Sequence, residues 1–268
     1  MDRQRMSIGN LQMSTITSGS GRPFLFIHGL CGDATQTIEV FPEMPGWRCV
    51  SPECRGHGQS DFGDKSDLSI AQFTADMIDL LASLGGPPPV IGGISMGAAI
   101  ALRAATTHPD KFSGLVLGRP AWVDVPAPGN LAPHRRIAAD LVAHGADAAR
   151  LMFEGSAMAR DIAEQAPENL ASLLGFFDRQ PTDQTAALLA AIAHDGPGVR
   201  RDAMAAITIP TLVIGTKRDL AHPLDMAEEF VRLIPTARLV EIASKSDNRD
   251  DYVGGFQAAL QQWLEEIT

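Results

Sequence analysis

The stretch GGISMGAAI, residues 92–100, sets a serine at the centre of G-I-S-M-G, with an apolar run before it and small residues after it. A short strand that ends in G-x-S-x-G and turns at once into a small-residue helix has to reverse its backbone sharply. Glycines at Gly93 and Gly97 accommodate that reversal without Cβ clashes. The reversal lifts Ser95 Oγ to the edge of a sheet and aims the first, unpaired N–H groups of the helix at any oxyanion formed there. The same five residues also fit a glycine-lined packing of strand on helix with no chemistry, so the surrounding chain has to decide.

Outward from the serine, strand and helix signals alternate. PVIGGIS (89–95), FLFIH (24–28) and CVSPE (49–53) are short apolar runs of buried-strand type. Partial alternation from Met6 to Ser18, broken at Gly19 to Pro23, reads as an opening antiparallel pair. LSIAQFTADMIDLLASLG (68–85) brings Ile70, Phe73, Met77, Leu80, Leu81 and Leu84 near one helical face, and Gly85, Gly86 and Pro87 close it. Residues 96–112 continue as a helix, GLVLG (114–118) as a strand, TLVIGTKRD (211–219) as a strand into a loop, and ARLVEIA (237–243) as the last strand. The alternation predicts an α/β fold, a mostly parallel, doubly wound sheet with helices on both faces.

Between Arg119 and Ile209 the texture changes: Pro120, Pro126, Pro128 and Pro133 make a stiff exit, and Ala-rich helical segments follow with no convincing strand. The expected organisation is a core of residues 1–120 and 205–268, with a helical cap, 121–204, over the strand ends and a cleft beneath it. Phe153, Met152, Met158, Phe176 and Phe177 recur at helical spacing there and read as the cap's own core before they read as a pocket lining.

The 268 residues, 45% hydrophobic and 20% charged, suffice for one large α/β domain with such an insertion. A net charge of −10 with no Lys/Arg cluster argues against nucleic acid or an anionic membrane surface as a partner. A small-molecule substrate or ligand is the expected partner, and oligomeric state stays open. Cys31, Cys49 and Cys54 are odd in number and lack companion zinc ligands, so reduced thiols in a cytoplasmic protein are expected. The N-terminal MDRQRMSIGN has no apolar leader segment, and no run approaches 18 apolar residues, so neither secretion nor membrane spanning is expected.

Three more stretches, in order, complete a resemblance to the α/β-hydrolase fold family. FIHGL (26–30) is similar to its strand and oxyanion loop, SPECRGHGQSD (51–61) resembles its P-D-x-R-G-H-G-x-S segment, and IPTLVIGTKRDLAHP (209–223) looks like the strand and loop that carry the catalytic acid. The resemblance implies Ser95 as nucleophile, the backbone N–H groups of Leu30 and Met96 as the oxyanion hole, and Asp219 as the acid, with Asp124 as the fallback. His28, Arg55 and His57 are then loop-fixing residues, with Glu53 where the family more often has Asp, and His108 is a helix-end residue. The pattern breaks at its last member. Residues 244–248, S-K-S-D-N, stand where the family carries its histidine, and none of Lys245, Ser246 and Asp247 supplies an imidazole. His222, three residues after Asp219, is the candidate base, against the alternative that His222 and Pro223 simply open the next helix. The resemblance thus implies hydrolysis of a small carboxylic ester, lactone or thioester with no metal or organic cofactor. Other readings left open are an impaired relative that binds a small hydrophobic ligand, and a cofactorless lyase or C–C hydrolase.

Overall fold

The computed structural model describes residues 1–267 of the chain. Its first half runs β1 (Asp2–Ile8), β2 (Leu11–Gly19), β3 (Arg22–Ile27), α1 (Ala34–Val40), β4 (Trp47–Pro52), α2 (Ile70–Leu84), β5 (Val90–Ile94), α3 (Met96–Thr107) and β6 (Gly114–Gly118). Four longer helices follow without a strand among the described residues: α4 (Ala132–Glu154), broken at Gly145, α5 (Ala157–Gln165), α6 (Pro167–Asp178) and α7 (Thr182–His194). The chain then closes with α8 (Arg201–Ala205), β7 (Thr211–Gly215), α9 (Leu224–Leu233), β8 (Ala237–Glu241) and α10 (Arg249–Glu266).

The eight strands form one sheet in the order β1-β2-β4-β3-β5-β6-β7-β8. β1 and β2 pair antiparallel, β2 joins β4 antiparallel, and every pairing from β4 through β8 is parallel. Such a sheet is doubly wound and buries both faces. β3 shows how: Leu25 and Ile27 enter one apolar cluster with α2, α3 and α9, while Phe24 and Phe26 enter the opposite one with α1 and α10. Local chemistry ends the helices where the sequence signals fall. Ser69 Oγ accepts from the Gln72 N–H at 3.0 Å to start α2, and Gly85 stops it at φ 60°.

α4 to α7 hold a third apolar cluster of their own, in which Phe153 and Phe177 are buried, and it touches the sheet's loops at Leu30 and Cys31. Met152 is exposed instead. All three cysteines are free thiols, and no helix among the described residues is long and apolar enough to cross a membrane.

Candidate active site

The turn between β5 and α3 puts Ser95 at φ 56°, ψ −111°, a conformation that side chains other than glycine's rarely adopt. Two packing constraints enforce it. A Cβ on Gly93 would fall on the backbone of Gly97, and one on Gly97 would fall on the Ile27 carbonyl, so strand and helix can close this tightly only with glycine at both positions. Ser95 donates its N–H to the Gly118 carbonyl at 2.9 Å, while its Oγ has no hydrogen-bond partner among the described residues. The hydroxyl therefore stands free at a cleft of about 330 Å³ that Leu30, Ser95, Arg119, Arg179, His222 and Lys245 all help to line.

The loop after β3 is shaped by two buried histidines. His28 Nδ1 faces the Gly29 carbonyl at 2.8 Å, and its Nε2 accepts from the Cys54 N–H at 3.0 Å. His57 Nδ1 faces the Arg55 carbonyl at 3.0 Å, and its Nε2 accepts from the Cys31 N–H at 2.9 Å. A ring nitrogen against a carbonyl has to carry the proton and one receiving an N–H has to lack it, so both rings are neutral. Burial holds both pKa values below the usual histidine range, that of His57 well below. Neither ring lines the cleft. Glu53 accepts from Arg3 at 2.8 Å and from the Gln59 N–H at 2.7 Å, and Arg55 clamps Asp76 through Nε at 2.8 Å and Nη2 at 2.7 Å. The loop so built leaves the Leu30 N–H without a partner among the described residues, and the Met96 N–H, as the first of α3, has none inside its helix.

Asp219, buried past the end of β7, sits in a dense polar cluster. Its Oδ2 takes Arg119 Nε at 2.7 Å, its Oδ1 takes Asn169 Nδ2 at 3.0 Å, and His222 Nδ1 lies 2.9 Å from Oδ1 and 3.0 Å from Oδ2. Asn169 Oδ1 in turn fixes the loop by accepting from the Leu220 N–H at 2.6 Å. Burial alone would raise the Asp219 carboxyl, but Arg119 and then His222 outweigh it and hold it well below the usual carboxylate range. Arg119 Nη2 also lies 3.1 Å from His222 Nδ1, but both oxygens of the ionised carboxylate are nearer, so Nδ1 carries the proton that points at Asp219 and Nε2 is left as the lone-pair nitrogen, without a partner among the described residues. Burial lowers the His222 pKa, Asp219 raises it and Arg119 lowers it again, so the net shift is downward and the ring is neutral near pH 7.

Ser95, Asp219 and His222 thus come together at one end of the sheet, although no hydrogen bond links Ser95 to His222 among the described residues. Asp124 does not join them: it pairs with Arg201 at 2.8 Å, away from the cleft. His108 caps the end of α3. Pro223 is the N-cap of α9, so His222 precedes that helix while also facing Asp219. Phe176 lines the cleft, and Met158 lines an adjoining apolar one of about 390 Å³ that shares His134, Asn169 and Leu173 with the first.

Sequence reasoning passed over Arg119, Asn169 and Arg179. Arg119 follows a fully buried strand at φ 44°, and a charged residue at the end of such a strand is a signal, but its partner lies 100 residues on. Lys245, set aside for lacking an imidazole, is the member of the 244–248 segment that lines the cleft.

A family model described as alpha/beta hydrolase fold matches residues 22–141. The chain is 27% identical over 246 residues to the AB hydrolase superfamily protein YisY of Bacillus subtilis, covering 84% of this chain and 85% of that protein. Among solved structures it resembles a thermophilic esterase from Thermogutta terrifontis, with a TM-score of 0.73 at 22% identity over 100% of this chain and 99% of that one. It also resembles the enol-lactonase from Burkholderia xenovorans, again with a TM-score of 0.73 at 22% identity, over 98% of this chain and all of that one. Sheet order, the strained serine turn and these likenesses agree on the architecture: the chain has an α/β-hydrolase fold.

Proposed function

We propose that the protein hydrolyses a small carboxylic ester, lactone or thioester, with Ser95 as nucleophile. The observation that carries this reading is the strained Ser95, its Oγ unbonded at a cleft that also receives His222, itself oriented by Asp219. Ser95 Oγ attacks the carbonyl carbon as His222 Nε2 takes its proton, and the N–H groups of Leu30 and Met96 stabilise the oxyanion. The leaving alcohol or thiol departs with that proton. Water then attacks the acyl-enzyme, returning the acid and the free serine. No step calls on a metal or organic cofactor. In this reading α4 to α7 cap the strand ends and limit substrate size, and the free thiols suit a cytoplasmic setting.

One observation favours a second reading, ligand binding without turnover: the segment after β8 carries no imidazole and instead brings Lys245 to the cleft. A serine-reactive fluorophosphonate probe separates the two. Hydrolysis requires labelling of the wild type that Ser95→Ala abolishes, together with turnover of 4-nitrophenyl acetate. A folded wild type that neither labels nor turns over refutes the hydrolase reading.

A further inference from the structure

The chain carries a net charge of −10, yet its cleft is lined by three cationic side chains, Arg119, Arg179 and Lys245, against one carboxylate, Glu168. Arg119 is already neutralised by Asp219. The other two are not. Arg179 donates to the Gly56 carbonyl at 2.6 Å and to Thr185 Oγ1 at 3.3 Å, and it forms no ion pair among the described residues. Lys245 has neither a hydrogen bond nor an ion pair among the described residues, and its ammonium lies 4.8 Å from the centre of the Tyr252 ring. Glu39 and Glu168 act on Lys245 at longer range, opposed by Arg119 and Arg249.

A partly buried ammonium with no carboxylate beside it keeps its charge uncompensated, as does a guanidinium that spends its fork on neutral oxygens. The two reach one cleft from unrelated parts of the chain, Arg179 between α6 and α7 and Lys245 after β8. Covalent neighbourhood therefore does not account for their meeting. An anionic group on the bound molecule would supply the compensating charge that these two cleft-lining cations lack.

We propose that the substrate carries a free carboxylate besides the bond to be cleaved, as a half-ester or lactone of a small dicarboxylic acid does, and that Arg179 and Lys245 bind that carboxylate. This specificity rests on the hydrolase reading, but the anion site stands on its own geometry and is tested separately. A cleft of about 330 Å³ suits a molecule of this size.

The test has a binding arm and a turnover arm. In the first, Ser95→Ala protein is titrated calorimetrically with glutarate and with dimethyl glutarate at constant ionic strength. Glutarate is expected to bind at least about tenfold tighter than the diester, with Lys245→Met and Arg179→Gln each weakening it by about tenfold and Lys245→Arg retaining most of the affinity. In the second, mono-4-nitrophenyl glutarate is compared with 4-nitrophenyl butyrate. The ratio of their kcat/KM values is expected to exceed about ten and to fall towards one in Lys245→Met. Glutarate binding without turnover of either ester upholds the anion site and refutes the hydrolase reading. Turnover of both esters at a ratio near one, with no glutarate binding, does the reverse. Loss of affinity in Arg179→Gln counts only if its circular dichroism matches the wild type, and Lys245→Met and Lys245→Arg decide the matter if it does not.

Discussion

Arg119 and Asp219, 100 residues apart in sequence, form a buried ion pair beneath the cleft, with both guanidinium Nε and Nη2 within 2.7 Å of Asp219 Oδ2. The carboxylate that orients His222 is thus shared with a permanent cation. Removing only one partner of such a pair strands a charge in the interior. Arg119→Met is expected to cost about 3–5 kcal/mol in urea unfolding, and adding Asp219→Leu to it to restore much of that loss. A single variant within about 1 kcal/mol of wild type would mean that the pair does not hold the loop.

The strain at Ser95 makes an unusual stability prediction. A residue other than glycine at φ 56°, ψ −111° costs of order 1–3 kcal/mol, whereas glycine there costs only unfolded-chain entropy. Ser95→Gly is therefore expected to be more stable than Ser95→Ala by about 1 kcal/mol, with both inactive on activated esters. If the alanine variant is the more stable, the turn is not strained; if either keeps wild-type turnover, Ser95 is not the nucleophile.

The strands were legible because each carries its own signal. GLVLG is a five-residue apolar run, and residues 114–118 are the strand. The glycine pair around Ser95 was legible as the G-x-S-x-G pattern, of which only the clash of Gly93 with Gly97 is local, while Gly97 avoids the Ile27 carbonyl on the neighbouring strand. The polar cluster was not. Arg119 was read only as the border of the helical segment and Asn169 not at all, because what defines them is contact with Asp219 across 100 and 50 residues, which no local pattern records. Asp124 had the right type and a fitting place in sequence as a fallback acid, but Arg201 draws its side chain to the surface. Lys245 reads in sequence as a missing histidine, and only the fold brings it to the lining of the cleft.

The two loop histidines should make stability sensitive to mild acid. His28 and His57 are fully buried and neutral, with pKa values below the unfolded value near 6.5. The unfolded chain therefore takes up protons first as pH falls. The stability each ring contributes is complete above about pH 6.5 and is lost progressively below it, at up to about 1.4 kcal/mol per pH unit per ring. Asp219 adds a loss at lower pH, since its depressed carboxyl contributes stability present above about 3.9 and lost as pH falls further. Urea midpoints measured at pH 5, 6, 7 and 8 should be level between 7 and 8 and fall steadily from 6.5 to 5. A flat profile down to pH 5 would contradict the buried neutral rings.

The base can be identified from the pH dependence of turnover. If His222 accepts the Ser95 proton, kcat/KM rises with pH through one step and then levels off. The sequence alone sets that step near 6.5; burial, and then Arg119 against the opposing pull of Asp219, moves it lower. His222→Gln should remove both the step and most of the activity. Lys245 supplies an independent check, because its charge also disfavours the His222 imidazolium. Lys245→Met should therefore shift the step upward on a neutral ester, a change that a merely structural Lys245 would not produce. A step above about pH 8 that survives His222→Gln would instead make the Lys245 ammonium the titrating group and exclude His222 as the base.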